Sequence, residues 1–197
     1  INGNRKLSGC ISISGAKNSV VALIPAAILT DGVVEILNTP ELTDTENLRK
    51  IITLLGGDIE FGKGFMKING KNVVSNPIPS ELSDKLRASY YFMGALLGRF
   101  HHVVINFPGG CKIGKRPIDL HLTAFRKMGA TIVREGDKYT LDAEHLHGAN
   151  ILFDFPSVGA TINVLMAAVL ADGVTVIENA AKEPEIINIV SLLNNMG

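Results

Sequence analysis

Three stretches of this 197-residue chain are spelled in the same order. A chain that repeats itself at long period folds as copies of one supersecondary unit. The first copy runs from Gly15-Ala16-Lys17-Asn18 through Pro25-Ala26-Ala27-Ile28-Leu29 and Asp31-Gly32-Val33-Val34-Glu35-Ile36-Leu37-Asn38 to Leu55-Gly56. The second runs from Leu86-Arg87-Ala88-Ser89 through Gly94-Ala95-Leu96-Leu97 and Val103-Val104-Ile105-Asn106 to Met128-Gly129. The third runs from Ser157-Val158-Gly159-Ala160 through Met166-Ala167-Ala168-Val169-Leu170 and Asp172-Gly173-Val174-Thr175-Val176-Ile177-Glu178-Asn179 to Met196-Gly197. From the Asn to the closing Gly the distance is 18, then 23, then 18 residues, so the middle copy carries five extra. Its extension holds Pro108-Gly109-Gly110-Cys111-Lys112-Ile113-Gly114-Lys115-Arg116. A loop lengthened in one copy alone is where function is expected on a repeated scaffold.

Each copy predicts the same elements. The first helix is apolar almost all round (Val20 to Leu29, Ala88 to Leu97, Ile162 to Ala171), which is the pattern of a buried helix. A short Val- and Ile-rich strand follows at Val33 to Leu37, Val103 to Ile105 and Val174 to Ile177. The second helix is amphipathic: Leu48, Ile51, Ile52 and Leu55 recur at i, i+3, i+4, i+7, as do Ile186, Ile189, Val190 and Leu193. Thr43-x-x-Glu46 predicts a capping box, Pro117 and Pro184 suit a first helical turn, and Gly56 and Gly129 suit a helix terminus. Hairpins are expected at Asp58 to Phe61 with Phe65 to Ile68, and at Thr131 to Arg134 with Lys138 to Leu141. Gly62-Lys63-Gly64 reads as a hairpin turn. Val73-Val74 and Ile151-Leu152-Phe153 read as strands leading into the next copy. The fold class is α/β, built of about three β-α-β-α-β-β units with the buried helices inside and sheets plus amphipathic helices around them. Residues 15–197 form one three-repeat domain (about 15–80, 81–155 and a shortened 156–197), preceded by a strand segment at 1–14. The chain begins at Ile1 without a Met and stops in the middle of the third pattern, so it reads as a piece of something longer.

With 19 Lys+Arg against 19 Asp+Glu the net charge is zero, which argues against a dedicated nucleic-acid or polybasic membrane surface. The apolar fraction of 46% excludes disorder as the main character. The longest apolar run, Val20 to Leu29, contains Pro25 and is half the ~20 residues that a spanning helix needs. Two cysteines, Cys10 and Cys111, make neither a disulfide framework nor a zinc pattern, and fit a reducing cytoplasm; no signal-peptide pattern is seen.

Cys111 is the strongest candidate for chemistry. It follows two glycines and precedes Lys112, Lys115 and Arg116, whose charges favour the thiolate. Such a group can exchange a proton near neutral pH or act as a nucleophile. Cys10, in Gly9-Cys10-Ile11-Ser12-Ile13, reads instead as a small hydrophobe in a strand. Lys17 and Arg87 open the buried helices of copies one and two, and Arg116 precedes the second helix of copy two. Cations at helix starts make clamps for phosphate or carboxylate, so a small anionic substrate is expected. Asn18 either binds an oxygen of that substrate or caps its helix. Asp119 either caps its helix or binds a ligand. His121 reads as a structural polar residue. His145 and His147 lack a third ligand, and solvation is the better reading for them.

Taken together, Gly15-Ala16-Lys17-Asn18, Leu86-Arg87-Ala88-Ser89, Pro108-Gly109-Gly110-Cys111-x-Ile113-Gly114-x-Arg116-Pro117-Ile118-Asp119, Ser157-Val158-Gly159-Ala160-Thr161 and Glu178-Asn179-Ala180-Ala181-x-Glu183-Pro184-Glu185 resemble the UDP-N-acetylglucosamine 1-carboxyvinyltransferases, a family of bacterial enolpyruvyl transferases. The likeness runs along nearly the whole chain and covers about the first half of such an enzyme. It implies two domains, each an inside-out α/β barrel of three repeats, with the active site in the cleft between them. The reaction implied is transfer of enolpyruvyl from phosphoenolpyruvate to the 3′-hydroxyl of UDP-N-acetylglucosamine, releasing phosphate, at the opening of peptidoglycan synthesis. Carried over by residue, Cys111 protonates the enolpyruvate methylene or holds it covalently. Lys17, Asn18 and Arg116 bind phosphoenolpyruvate. Arg87, Arg116, Pro117, Ile118, Asp119, Leu120, Ser157 and Val158 bind the UDP-sugar. No cofactor or metal is implied. The likeness departs at Phe155-Pro156, where family members often carry Lys or Val and then Val. A shikimate-type enolpyruvyl transferase, which lacks the Pro-Gly-Gly-Cys loop, and a non-catalytic paralogue are the alternative readings.

Overall fold

Arg99 shows how the copies are welded. The computed structural model describes residues 3–4, 6–84, 86–106 and 118–197. Helix α1 (Lys17–Ala26) runs on into a 3-10 turn at Ala27–Leu29, then strand β1 (Val33–Leu37), helix α2 (Thr43–Leu54) and the hairpin β2 (Asp58–Gly62) and β3 (Phe65–Asn69). The second copy adds a short α3 (Ser80–Ser83), a 3-10 turn at Arg87–Tyr90, α4 (Tyr91–Phe100), β4 (His102–Asn106), α5 (Asp119–Lys127), β5 (Thr131–Glu135) and β6 (Lys138–Asp142). The third adds β7 (Asn150–Leu152), α6 (Val158–Ala168), β8 (Val176–Glu178) and α7 (Pro184–Met196). Near the C-terminus of α4, Arg99 Nη1 donates to the carbonyls of Ile28 (2.6 Å), Thr30 (3.3 Å) and Gly70 (2.9 Å), while Nη2 pairs with Asp31. One guanidinium of the second copy therefore satisfies three chain carbonyls of the first, and it lies largely buried.

Sheet topology repeats faithfully. The first sheet has the order β1-β3-β2 and the second β4-β6-β5, antiparallel throughout. Val34 and Ile36 of β1 and Met66 and Ile68 of β3 turn inward, and Val33 and Leu37 turn out, as the period of two requires. The third sheet is a parallel pair, β7 with β8. A parallel bridge between Ile78 and Ile105 marks the corresponding place in the second copy.

The apolar first helices form the centre. Ile24, Phe92, Ala95, Leu96, Ile162 and Val164 have no exposed surface, whereas α7 buries fully only Ile189. Helices α4 and α6 cross so closely that a Cβ built on Gly94 would stand 2.2 Å from the Asn163 carbonyl oxygen, and one on Gly98 2.8 Å from that of Met166. Only glycine admits this approach.

Several local expectations change. The expected capping box at Thr43 and Glu46 does not form: the N-cap is Leu42, whose N–H donates to Thr45 Oγ1 (3.3 Å), and Glu46 pairs with Arg49 instead. Val73-Val74 is not a strand, because the Val74 N–H goes to the Leu55 carbonyl at the end of α2. The buried helix of copy two begins as a 3-10 turn, and β8 is shorter than its Val-rich run. Residues 6–14 join no strand, and Cys10, read as a strand hydrophobe, is exposed. Gly56 (φ 90°) and Gly129 (φ 97°) do end α2 and α5, and Pro184 is the first residue of α7.

Candidate functional site

Among the described residues, six helices start at the same end of the molecule. Contacts between their first turns establish it. Lys17, the first residue of α1, pairs with Asp44 in the first turn of α2. Asn18 Nδ2 donates to Glu185 Oε1 in the first turn of α7 (3.4 Å), and Ser19 Oγ donates to Asn188 Oδ1 (2.7 Å). Just ahead of α7, the Ala181 N–H donates to Thr161 Oγ1 in the first turns of α6 (3.1 Å). Gly159 of α6 lies against His121 in the first turn of α5: a Cβ built there would be 3.0 Å from Nε2. Arg87 opens the 3-10 turn leading into α4, close enough that its charge acts on both His121 and Tyr91.

The electrostatics follow from this arrangement. Each helix start carries the equivalent of roughly half a positive charge, with free N–H groups pointing outward. Helices that start together repel at that end, and carboxylates in the first turns offset the repulsion: Asp44 and Glu46, Asp119, and Glu185. Lys17, paired with Asp44, and Arg87 are exposed among these helix starts, so cations, carboxylates and helix N–H groups share one face of a chain that is neutral as a whole.

Local sequence explains most placements. Ser157 is a true N-cap, its Oγ accepting from the Ala160 N–H at 3.3 Å, with Val158 opening α6. Ile118 is the N-cap of α5, and its side chain is buried. Asp119 is exposed and Leu120 half-buried in that first turn. Asn18 does not cap its helix either; the N-cap position is Ala16. Arg87 is exposed beside Tyr90 and Tyr91. Burial, then the Glu185 carboxylate, push the Tyr91 phenol up to about 12, with Arg87 acting the other way. Cys111, Arg116 and Pro117 lie outside the described residues.

Sequence reasoning missed Asp44 and Glu185, the partners of Lys17 and Asn18. The available signal was an acid near the start of each outer helix. His121, read from the sequence as a structural polar residue, is 3% exposed; burial, then the Arg87 charge, lower its pKa to about 4. The cleft bounded by Thr39, Leu42, Glu46, Phe61 and Lys63 contains none of the catalytic or binding candidates named from the sequence. Among the described residues no group of three His, Cys, Asp or Glu side chains is placed to hold a metal, and no helix is long and apolar enough to cross a membrane.

Comparison with known proteins bears on this face. The profile of the EPSP synthase (3-phosphoshikimate 1-carboxyvinyltransferase) family matches residues 1–197. The chain is 52% identical over 197 residues to UDP-N-acetylglucosamine 1-carboxyvinyltransferase 2 of Bacillus subtilis (strain 168), covering all of this chain and 46% of that protein. It is 53% identical over 199 residues to the enzyme of the same name from Streptococcus mutans, covering 48% of it. The chain thus spans about half the length of these curated relatives. Among solved structures, the enolpyruvyl transferase NikO from Streptomyces tendae superposes with a TM-score of 0.84 at 22% identity, over 99% of this chain and 46% of that one. EPSP synthase from Acinetobacter baumannii gives a TM-score of 0.74 at 20% identity, over 94% of this chain and 43% of that one. At such identities the structural likeness concerns the fold.

Proposed function

The chain belongs to the EPSP synthase family, and on that footing we propose that the protein it comes from transfers enolpyruvyl from phosphoenolpyruvate to the 3′-hydroxyl of UDP-N-acetylglucosamine, in the cytoplasm and for peptidoglycan synthesis. The observation that carries this reading is the gathering of six helix starts with Lys17, Asn18 and Arg87 at one end, in a chain 52% identical to enzymes of that name. Both substrates are anions, and this face has the donors and the field for them.

In the proposed sequence, Lys17, Asn18 and Arg116 hold the phosphate and carboxylate of phosphoenolpyruvate. Arg87, the Arg116 to Leu120 stretch and Ser157-Val158 hold the UDP-sugar. The 3′-hydroxyl gives its proton to a general base and its oxygen bonds to C2 of phosphoenolpyruvate as the C2–C3 π bond opens and C3 takes the proton of the Cys111 thiol; alternatively the Cys111 thiol itself adds across that double bond, sulfur to C2 and a proton to C3, and holds the group. Elimination then removes a proton from C3, restores the C2–C3 double bond and breaks the bond to phosphate. To meet the phosphate the exposed Lys17 ammonium has to turn away from Asp44, the more buried member of the pair, so phosphate competes with that carboxylate for Lys17. We read the 1–14 segment as a strand that pairs outside the three-repeat unit. Leu7, Ile11 and Ile13, two or four residues apart, are each almost fully exposed here, which suits a face covered by another part of the protein.

The shikimate-type reading shares the fold, and the Pro108-Gly109-Gly110-Cys111 loop separates the two. The experiment is done on the full-length protein. Phosphate release should require both phosphoenolpyruvate and UDP-N-acetylglucosamine. Fosfomycin should add its mass at Cys111, faster with the sugar nucleotide present. Turnover with shikimate 3-phosphate but not the UDP-sugar would reject the proposal. Residues 1–197 alone should release no phosphate.

A further inference from the structure

A run of polar contacts crosses three helices behind the anion face. His121 of α5 packs against Gly159 of α6, whose missing side chain leaves the imidazole its space: a built Cβ would sit 3.0 Å from Nε2 and 3.5 Å from Cε1. The Gly159 carbonyl accepts from Asn163 Nδ2 one turn on, at 3.0 Å. Asn163 Oδ1 accepts from the Gly94 N–H of α4 at 2.8 Å. His121 is 3% exposed and Asn163 fully buried, and the backbones of Ile118 and Gly159 face the imidazole. Arg87, at the head of α4, lies near enough for its charge to act on the same imidazole.

Buried polar groups cost stability unless they are hydrogen-bonded, and a bonded set fixes the elements that carry it; this set touches every helix whose start carries a UDP-sugar residue in the reading above. We propose that His121 is a positioning residue: locked into the notch left by Gly159, and continued through Asn163 to Gly94, it fixes the starts of α5, α6 and the Arg87 turn at the mutual spacing that a sugar nucleotide needs. The inference rests on the proposed function and names a determinant of nucleotide binding within it. Lys17 and Asn18 of α1 take no part in this set, since their partners lie on α2 and α7.

The contact makes a distinctive prediction. In the full-length protein, Gly159→Ala must displace the buried ring by a few tenths of an ångström, and a misplacement of that order weakens a preorganised site by about tenfold. The dissociation constant for UDP-N-acetylglucosamine, read by calorimetry, should rise by about that factor, while the KM for phosphoenolpyruvate at saturating nucleotide stays within about twofold. His121→Ala should weaken the nucleotide similarly, and Gly159→Ala/His121→Ala should be no weaker than either single variant, because both lesions act through one contact. His121→Gln, which keeps a polar group in the notch, should recover part of the loss. An unchanged nucleotide constant in Gly159→Ala, a proportional rise in both substrate constants, or a double variant weakened by the product of the single effects would overturn the inference. If the unaltered protein does not bind the UDP-sugar at all, the proposed function fails and this inference with it. Binding by the unaltered protein that is equally tight in Gly159→Ala sinks the inference alone.

Discussion

His121 keeps an imidazole neutral in the interior. Burial, then the positive Arg87, lower its pKa from 6.5 to about 4, and the backbones of Ile118 and Gly159 pull only part of the way back. Between those two values the unfolded chain binds a proton that the folded chain refuses. Stability therefore falls as pH drops through that window, by about 3 kcal/mol in all, and this contribution flattens below pH 4. Denaturant midpoints followed by circular dichroism from about pH 7 down to about pH 4 should show the slope, and His121→Gln should remove that part of it. Exposed Lys17 calls for a different test. Lys17→Met should raise the KM for phosphoenolpyruvate at least tenfold in the full-length protein, through loss of a charge-assisted contact, with nucleotide affinity little changed. Equal losses for both substrates would place Lys17 elsewhere in the reaction. At this scale the sequence was half legible. Cations at helix starts are visible in a string of letters, whereas Asp44 and Glu185 became partners only because α2 and α7 pack beside α1.

Elements behave as their periodicity dictates where burial is one-sided. Strand β1 and the glycine stops of α2 and α5 fall where alternation and turn chemistry put them, since a slip of one residue would turn Val34 and Ile36 outward. Periodicity failed where backbone hydrogen bonds had a better partner than the local pattern implied. Val73-Val74 looks like a strand, yet the Val74 N–H closes the end of α2 at Leu55 and the Val73 N–H closes the turn after β3 at Gly70. The apolar run of copy two conceals a 3-10 start, because side-chain character does not distinguish a tighter first turn from an α-helical one. The crossing of α4 on α6 was unreadable in advance, since it depends on two glycines from one helix meeting backbone of another. Gly94→Ala should therefore prevent folding, observable as loss of the cooperative transition, because the obstacle is backbone that cannot step aside. Arg99→Met keeps much of the packing and leaves the carbonyls of Ile28, Thr30 and Gly70 without their donor. It should lower the denaturation free energy by about 2–4 kcal/mol.

Across the whole molecule, a neutral chain presents a polarised surface, because direction of helices rather than count of charges decides the field. Sugar-nucleotide binding by the full-length protein should weaken as salt is raised from about 0.05 to about 0.5 M, as screening shortens the reach of that face. An affinity indifferent to salt would mean that the anion is held by local contacts alone. The α/β class and the threefold pattern were open to reading from the letters, because each copy must bury the same helix. The ordering of copies against one another was not, for it rests on side chains such as Arg99 that reach across. That reach has an evolutionary corollary. In arrays whose units touch only at matching faces, a module can be dropped or duplicated with little harm. Here the second copy's guanidinium supplies donors to the first copy's main chain, so the copies are not interchangeable, and excising the second would leave carbonyls of the first that its own residues do not satisfy.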